Sequence, residues 1–119
     1  MTKLDRAVDL LGLARRAGKL TLGAGATEAA LSRGRVCGLV LASDLSPRSA
    51  VKVRELARSA DVPEYSFGTK AEFGRRFGRQ EVGILGVLDP SFAAGIRNQL
   101  ESRPRSDPGT GSRAETNSD

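Results

Sequence analysis

The stretch Leu22 to Gly34, LGAGATEAALSRG, decides how the rest of the chain is read. Gly23 is followed by three small residues, Ala24, Gly25 and Ala26, at the opening of a short Ala-rich helix that closes at Arg33-Gly34. A helix start carries free N–H groups and the positive end of the dipole. With so little side-chain cover, it admits a negative group such as a phosphate to the backbone. The same small residues also suit close packing of a helix on a sheet. The flanking sequence has to separate the two readings.

Upstream, Leu4 to Ala17 follows a helical period, with Leu4, Ala7, Val8, Leu11 and Ala14 on one face and Lys3, Asp5, Arg6, Asp9 and Arg16 largely on the other. Gly18 is its natural stop, and Lys19 to Leu22 (KLTL) makes a short strand. Downstream, Val36 to Ala42 (VCGLVLA) is an apolar run of the kind covered on both faces of a sheet. Ser46-Pro47 reads as an N-cap with Pro at the first helical position, opening a helix to about Ala60 that Asp61-Val62-Pro63 ends. Glu64 to Phe67 is a strand. Thr69 and Glu72 have the spacing of a capping box before a helix to about Phe77. After a loop, Val82 to Leu88 (VGILGVL) is a second buried strand, and Asp89-Pro90 opens a last helix to about Leu100.

Helices and strands thus alternate from end to end. Alternation predicts an α/β fold, a three-layer α/β/α sandwich on a mixed, mainly parallel sheet of about four strands. Residues 1–101 form one domain, and 102–119, with Pro104, Pro108, Gly109 and Gly111 amid scattered charge, read as a disordered tail. Ligands of such sheets lie at the loops that follow the strands. Three of these, Gly23 to Ala26, Ser43 to Leu45 and Gly78 to Val82, can share one rim.

Composition narrows the function. Lys and Arg number 19 against 14 Asp and Glu, and the acids of residues 101–119 leave the body, residues 1–100, at +6. Such an excess on a small domain favours a polyanionic partner. Cys37 is the single cysteine and there is no His, so neither a disulfide within the chain nor a common zinc site is expected; catalytic residues, metals and cofactors are expected to be absent. No apolar run approaches the roughly 20 residues of a membrane span, and the N-terminus has a helical period rather than a signal-peptide core. A cytoplasmic, monomeric protein with no membrane partner is the expectation. The basic residues spread over several helices suit a folded RNA backbone, and with few aromatics a base-stacking sheet is not expected.

The ordered series LLGLARRAGKL, the glycine turn with its helix ending SRG, LVLASDLSP, VPEYSFGTKAEFGRRFG and VGILGV resembles the L7Ae and L30e family of ribosomal proteins, binders of kink-turn RNA. The opening LLGLARRAGKL is most similar to its small bacterial YlxQ-like branch. The resemblance covers about residues 4 to 98 and implies the same three-layer sandwich. It also implies a site. The segment Gly23 to Ala29 would enter the groove beside the kink, the loop Arg79 to Gly83 would meet the base thrust from the bulge, and Asp44 would lie in the matching acidic loop. Kink-turn binders place Asn-Glu where this chain has Gly25 and Ala26, and Lys where it has Ala29. Their loss removes guanine-edge contacts of about 1–3 kcal/mol per good pair.

The candidate RNA-binding residues are therefore Lys19, the turn and helix start from Gly23 through Ala24, Gly25, Ala26 and Thr27, and Arg33. Asp44, Lys70 and the loop Arg79, Gln80, Glu81 and Val82 complete the set. Structured RNA, ribosomal or otherwise kink-turn-like, is the expected partner, with ribosomal proteins as possible neighbours. The alternative is an interaction or ribosome-assembly adaptor that kept the fold and lost specific RNA readout, since the bare Gly25, Ala26 and Ala29 surface suits a protein groove as well.

Overall fold

A computed structural model describes residues 2–101; the expected tail, 102–119, lies outside them. Helix α1 (Lys3–Arg16) starts at a capping box in which Asp5 N donates to Thr2 Oγ1 at 3.0 Å and Thr2 N donates to Asp5 Oδ2 at 3.1 Å. The Thr2 N–H bond to Asp5 holds that carboxyl below its ordinary pKa. There follow β1 (Leu20–Leu22), α2 (Ala24–Ser32), β2 (Gly38–Leu41), α3 (Pro47–Ser59), β3 (Glu64–Ser66), α4 (Lys70–Phe77), β4 (Ile84–Val87) and α5 (Pro90–Glu101). Every element that the periodicity predicts is present and of the predicted kind. No described helix is long and apolar enough to cross a membrane.

The four strands form one mixed sheet in the order β1-β4-β2-β3. Here the expectation of a mainly parallel sheet needs correction. β1, β2 and β3 do share one direction, but β4 runs against them and inserts between β1 and β2, so two of the three pairings are antiparallel and only β2–β3 is parallel. α4 and the loop after it do not carry the chain back to where β3 began: the loop doubles back along the helix, so that Val82 N donates to Lys70 O at 3.1 Å, at the end of the sheet where β3 finishes. β4 therefore starts at that same end, with Ile84 opposite Leu41.

Side chains of the central strands alternate between two cores, the period-2 consequence of the pleat. Val40, Leu85 and Val87 pack with Ala7 and Leu11 of α1, Phe73 of α4 and Ile96 of α5. Leu39, Leu41 and Ile84 face the other way, against Ala30 and Leu31 of α2 and Val53 and Ala57 of α3. Phe67 and Phe73 meet edge to face at 5.9 Å between ring centroids and anchor α4 to the first core. Leu4, assigned by period to the apolar face of α1, stands half exposed in its first turn.

Candidate nucleic-acid interface

Because β1, β2 and β3 run the same way, the loops that follow them gather at one end, joined there by the loop that leads into β4. Backbone hydrogen bonds lace them together. Gly23 N donates to Ile84 O at 2.7 Å, Ala42 N to Gly83 O at 2.9 Å, Ser43 N to Gly68 O at 2.8 Å and Val82 N to Lys70 O at 3.1 Å. The three loops predicted to share a rim do so. The loop after β3, Phe67 to Thr69, joins them and was missed, although the shared strand direction that gathers the other loops would have placed it here as well.

Three helices, α2, α3 and α4, begin at this rim. Ser46 Oγ accepts from Ser49 N at the start of α3, and Thr69 Oγ1 accepts from Glu72 N at the start of α4. Among the described hydrogen bonds, the reciprocal half of the expected Thr69–Glu72 box is missing; Asp44 Oδ1 instead accepts from Lys70 N at 2.9 Å. Only α2 starts without a side-chain cap. Its N-cap is Gly23, at φ +90°, a left-handed backbone that suits glycine and turns the chain sharply off β1. Ala24, Gly25, Ala26 and Ala29 are exposed, and a Cβ built on Gly25 would meet nothing within 4 Å. The rim thus presents bare N–H donors and a positive dipole end to solvent.

The loop before β4 stands beside this opening on a close-packed support. Gly74 of α4 lies against the Arg79 and Gln80 carbonyls, where a Cβ would come within 2.8 Å of Arg79 O and closer still to Gln80 O. Arg79, Gln80 and Glu81 are exposed, and Lys70 Nζ stands 3.9 Å from Glu81 Oε1. Fixed charge at the rim is close to balance, with Arg48, Lys70 and Arg79 against Asp44, Glu72 and Glu81. Among the described residues no group of three or more His, Cys, Asp or Glu is placed to hold a metal.

Four of the residues assigned to the site from sequence do not present side chains there. Thr27 is fully buried, its Oγ1 2.9 Å from Thr21 Oγ1, because it shares the inward stripe of α2 with Ala30 and Leu31. Val82 is buried in the core beside Phe73, so only its backbone reaches the loop. Lys19 precedes β1 and Arg33 caps the far end of α2, which puts both at the opposite end of the sheet, about 13 Å from the rim by strand and helix rise. Gly23, Ala24, Gly25, Ala26, Asp44, Lys70, Arg79, Gln80 and Glu81 do gather at the rim. Asp44 acts there as a cap for α4.

Comparison with known proteins adds to this geometry. A model of the ribosomal protein L7Ae/L30e/S12e/Gadd45 family matches residues 5–95. The chain is 29% identical over 97 residues to the RNA-binding protein YlxQ of Enterococcus faecium, covering 82% of this chain and 93% of that protein. A structure of a Bacillus halodurans protein of unknown function superposes with a TM-score of 0.74 at 28% identity, covering 81% of this chain and 97% of that one. The Giardia lamblia 15.5kD RNA binding protein shares the fold, with a TM-score of 0.69 at 14% identity over 86% of this chain and 88% of that one.

Proposed function

We propose the following function on the premise that the chain belongs to the ribosomal protein L7Ae/L30e/S12e/Gadd45 family. It is a non-enzymatic cytoplasmic protein that binds structured RNA of the kink-turn kind, acting as a monomer in the company of ribosomal proteins. The uncapped α2 start carries this reading: it is the only helix start at the rim whose donors are left to a partner. RNA phosphates would approach the N–H groups of Ala24 to Ala26, and the exposed Arg79-Gln80 loop would meet a base displaced from the stack. The E. faecium relative, an RNA-binding protein by name, supports the same partner class. Recognition rests on backbone and shape, because Gly25, Ala26 and Ala29 offer no side-chain donors to base edges.

The test is Gly25→Asp. The position is open and lies in the first turn of α2, where a carboxylate suits the dipole, so the fold is retained. The new carboxylate occupies the anion-attracting start and repels phosphate, lowering affinity for a kinked RNA about tenfold or more. Unchanged affinity would dismiss the rim as the site. The near balance of charge at the rim favours a second reading, an assembly adaptor that docks protein there instead. In that case the purified chain shows no preference for kinked RNA over straight duplex at any salt concentration.

A further inference from the structure

The two cations that the fold removes from the rim are not stranded singly. At the opposite end of the sheet Arg15 and Arg16 close α1, Lys19 leads into β1, and Arg33 and Arg35 flank Gly34 between α2 and β2. Backbone bonds fix these segments side by side. Lys19 N donates to Ala14 O at 2.8 Å, which folds it back under the last turn of α1, and Leu88 N donates to Lys19 O at 2.9 Å. Cys37 N donates to Val87 O at 2.7 Å and Arg35 N to Ala30 O at 3.0 Å, which holds the other loop against the same sheet end. With β4 between β1 and β2, the Lys19 and Cys37 backbones stand two strand spacings apart, about 10 Å.

All five cations are exposed, and none forms an ion pair with a described acid. The nearby Asp89 is turned to α5, accepting from Ser91 N at 2.7 Å and Phe92 N at 3.4 Å. Cations at helix C-termini complement the dipole, which gives Arg15, Arg16 and Arg33 a structural use. It gives none to Lys19 or Arg35, and two helix ends supply only about one unit of negative charge between them. Arginine forks fit phosphate oxygens in pairs, and the exposed small residues Ala17, Gly18 and Gly34 let a backbone approach closely. No aromatic side chain is exposed among the described residues, so the patch suits phosphates and not stacked bases.

We propose that this pole is a second RNA contact that grips the phosphate backbone of a double-helical segment, so that one copy of the chain bridges two segments of RNA. The bridging rests on the rim's being an RNA site; the grip of the pole on duplex does not. The experiment titrates the full chain into a blunt, unkinked RNA duplex over a series of salt concentrations. Lys19→Gln/Arg33→Gln/Arg35→Gln weakens binding tenfold or more and makes the log–log salt dependence shallower by about two to three units. Lys3→Gln/Arg6→Gln/Lys52→Gln, which removes the same charge at the start of α1 and beside Glu28 of α2, away from this pole, changes the slope by less than about one unit. Circular dichroism checks that both variants are folded. Equal losses in the two variants, no loss in the first, or no duplex binding by the unmodified chain would overturn the proposal. Loss of duplex binding in the first variant alone, alongside no preference of the unmodified chain for kinked RNA over straight duplex, would reject the rim reading and leave the pole standing.

Discussion

Thr27 shows how a single residue can be misassigned from sequence and what its true role predicts. A hydroxyl four residues into a helix start looks like a phosphate contact, yet Thr27 with Ala30 and Leu31 makes the i, i+3, i+4 stripe that must face the sheet. That signal was in the sequence and outranked the polar character of the side chain. Its hydroxyl serves Thr21, where Gly86 leaves room: a Cβ there would lie 2.5 Å from Thr21 Oγ1. Thr27→Val keeps the shape and removes the partner, so urea denaturation is expected to show a loss of about 1–2 kcal/mol with RNA affinity unchanged. Tyr65, the only tyrosine, has its pKa raised from 10.0 mainly by burial, with Arg97 opposing. The folded state thus keeps its proton longer than the unfolded chain does. Stability is level below pH 10 as far as this group is concerned, and falls between the unfolded and the raised folded value. Absorbance of tyrosinate in the folded protein is expected to rise with a midpoint above 10, returning to about 10 in denaturant.

At the scale of elements, existence and order were legible because each helix and strand carries its own period and its own stop, as Ser46-Pro47 and Asp89-Pro90 show. Direction was not legible for β4. Periodicity states which face of a strand is buried, and nothing in VGILGVL records that the loop before it doubles back to the start of α4 instead of crossing the sheet. The same blindness misplaced Lys19 and Arg33: they neighbour the glycine turn in sequence, but a strand and a helix carry them to the other end. The rim itself depends on α4. Gly74 lets the helix touch the Arg79 and Gln80 carbonyls, and Asp44 ties its start to the loop after β2. Gly74→Ala forces that loop outward, and thermal unfolding should show a cost of about 1–3 kcal/mol, accompanied by weaker binding of kinked RNA. An unchanged melting temperature would mean that the loop yields freely and does not support the site.

For the whole molecule, the net positive charge is unevenly placed. The rim, which has the open helix start, is close to neutral, while the opposite end of the sheet collects five cations that pair with no described acid. A total charge read from sequence favoured a polyanion but did not say which end would meet it, because that depends on strand order. On the proposed function, geometry at one end and charge at the other make kink preference and salt dependence separable. The most direct measurement is an equilibrium titration of the purified protein and of Gly25→Asp into a kink-turn RNA and a straight duplex of the same length, at two salt concentrations. The account predicts that the unmodified chain prefers the kinked RNA at both concentrations and that Gly25→Asp abolishes the preference. Equal binding of the two RNAs by the unmodified chain, or a preference that survives Gly25→Asp, would contradict it.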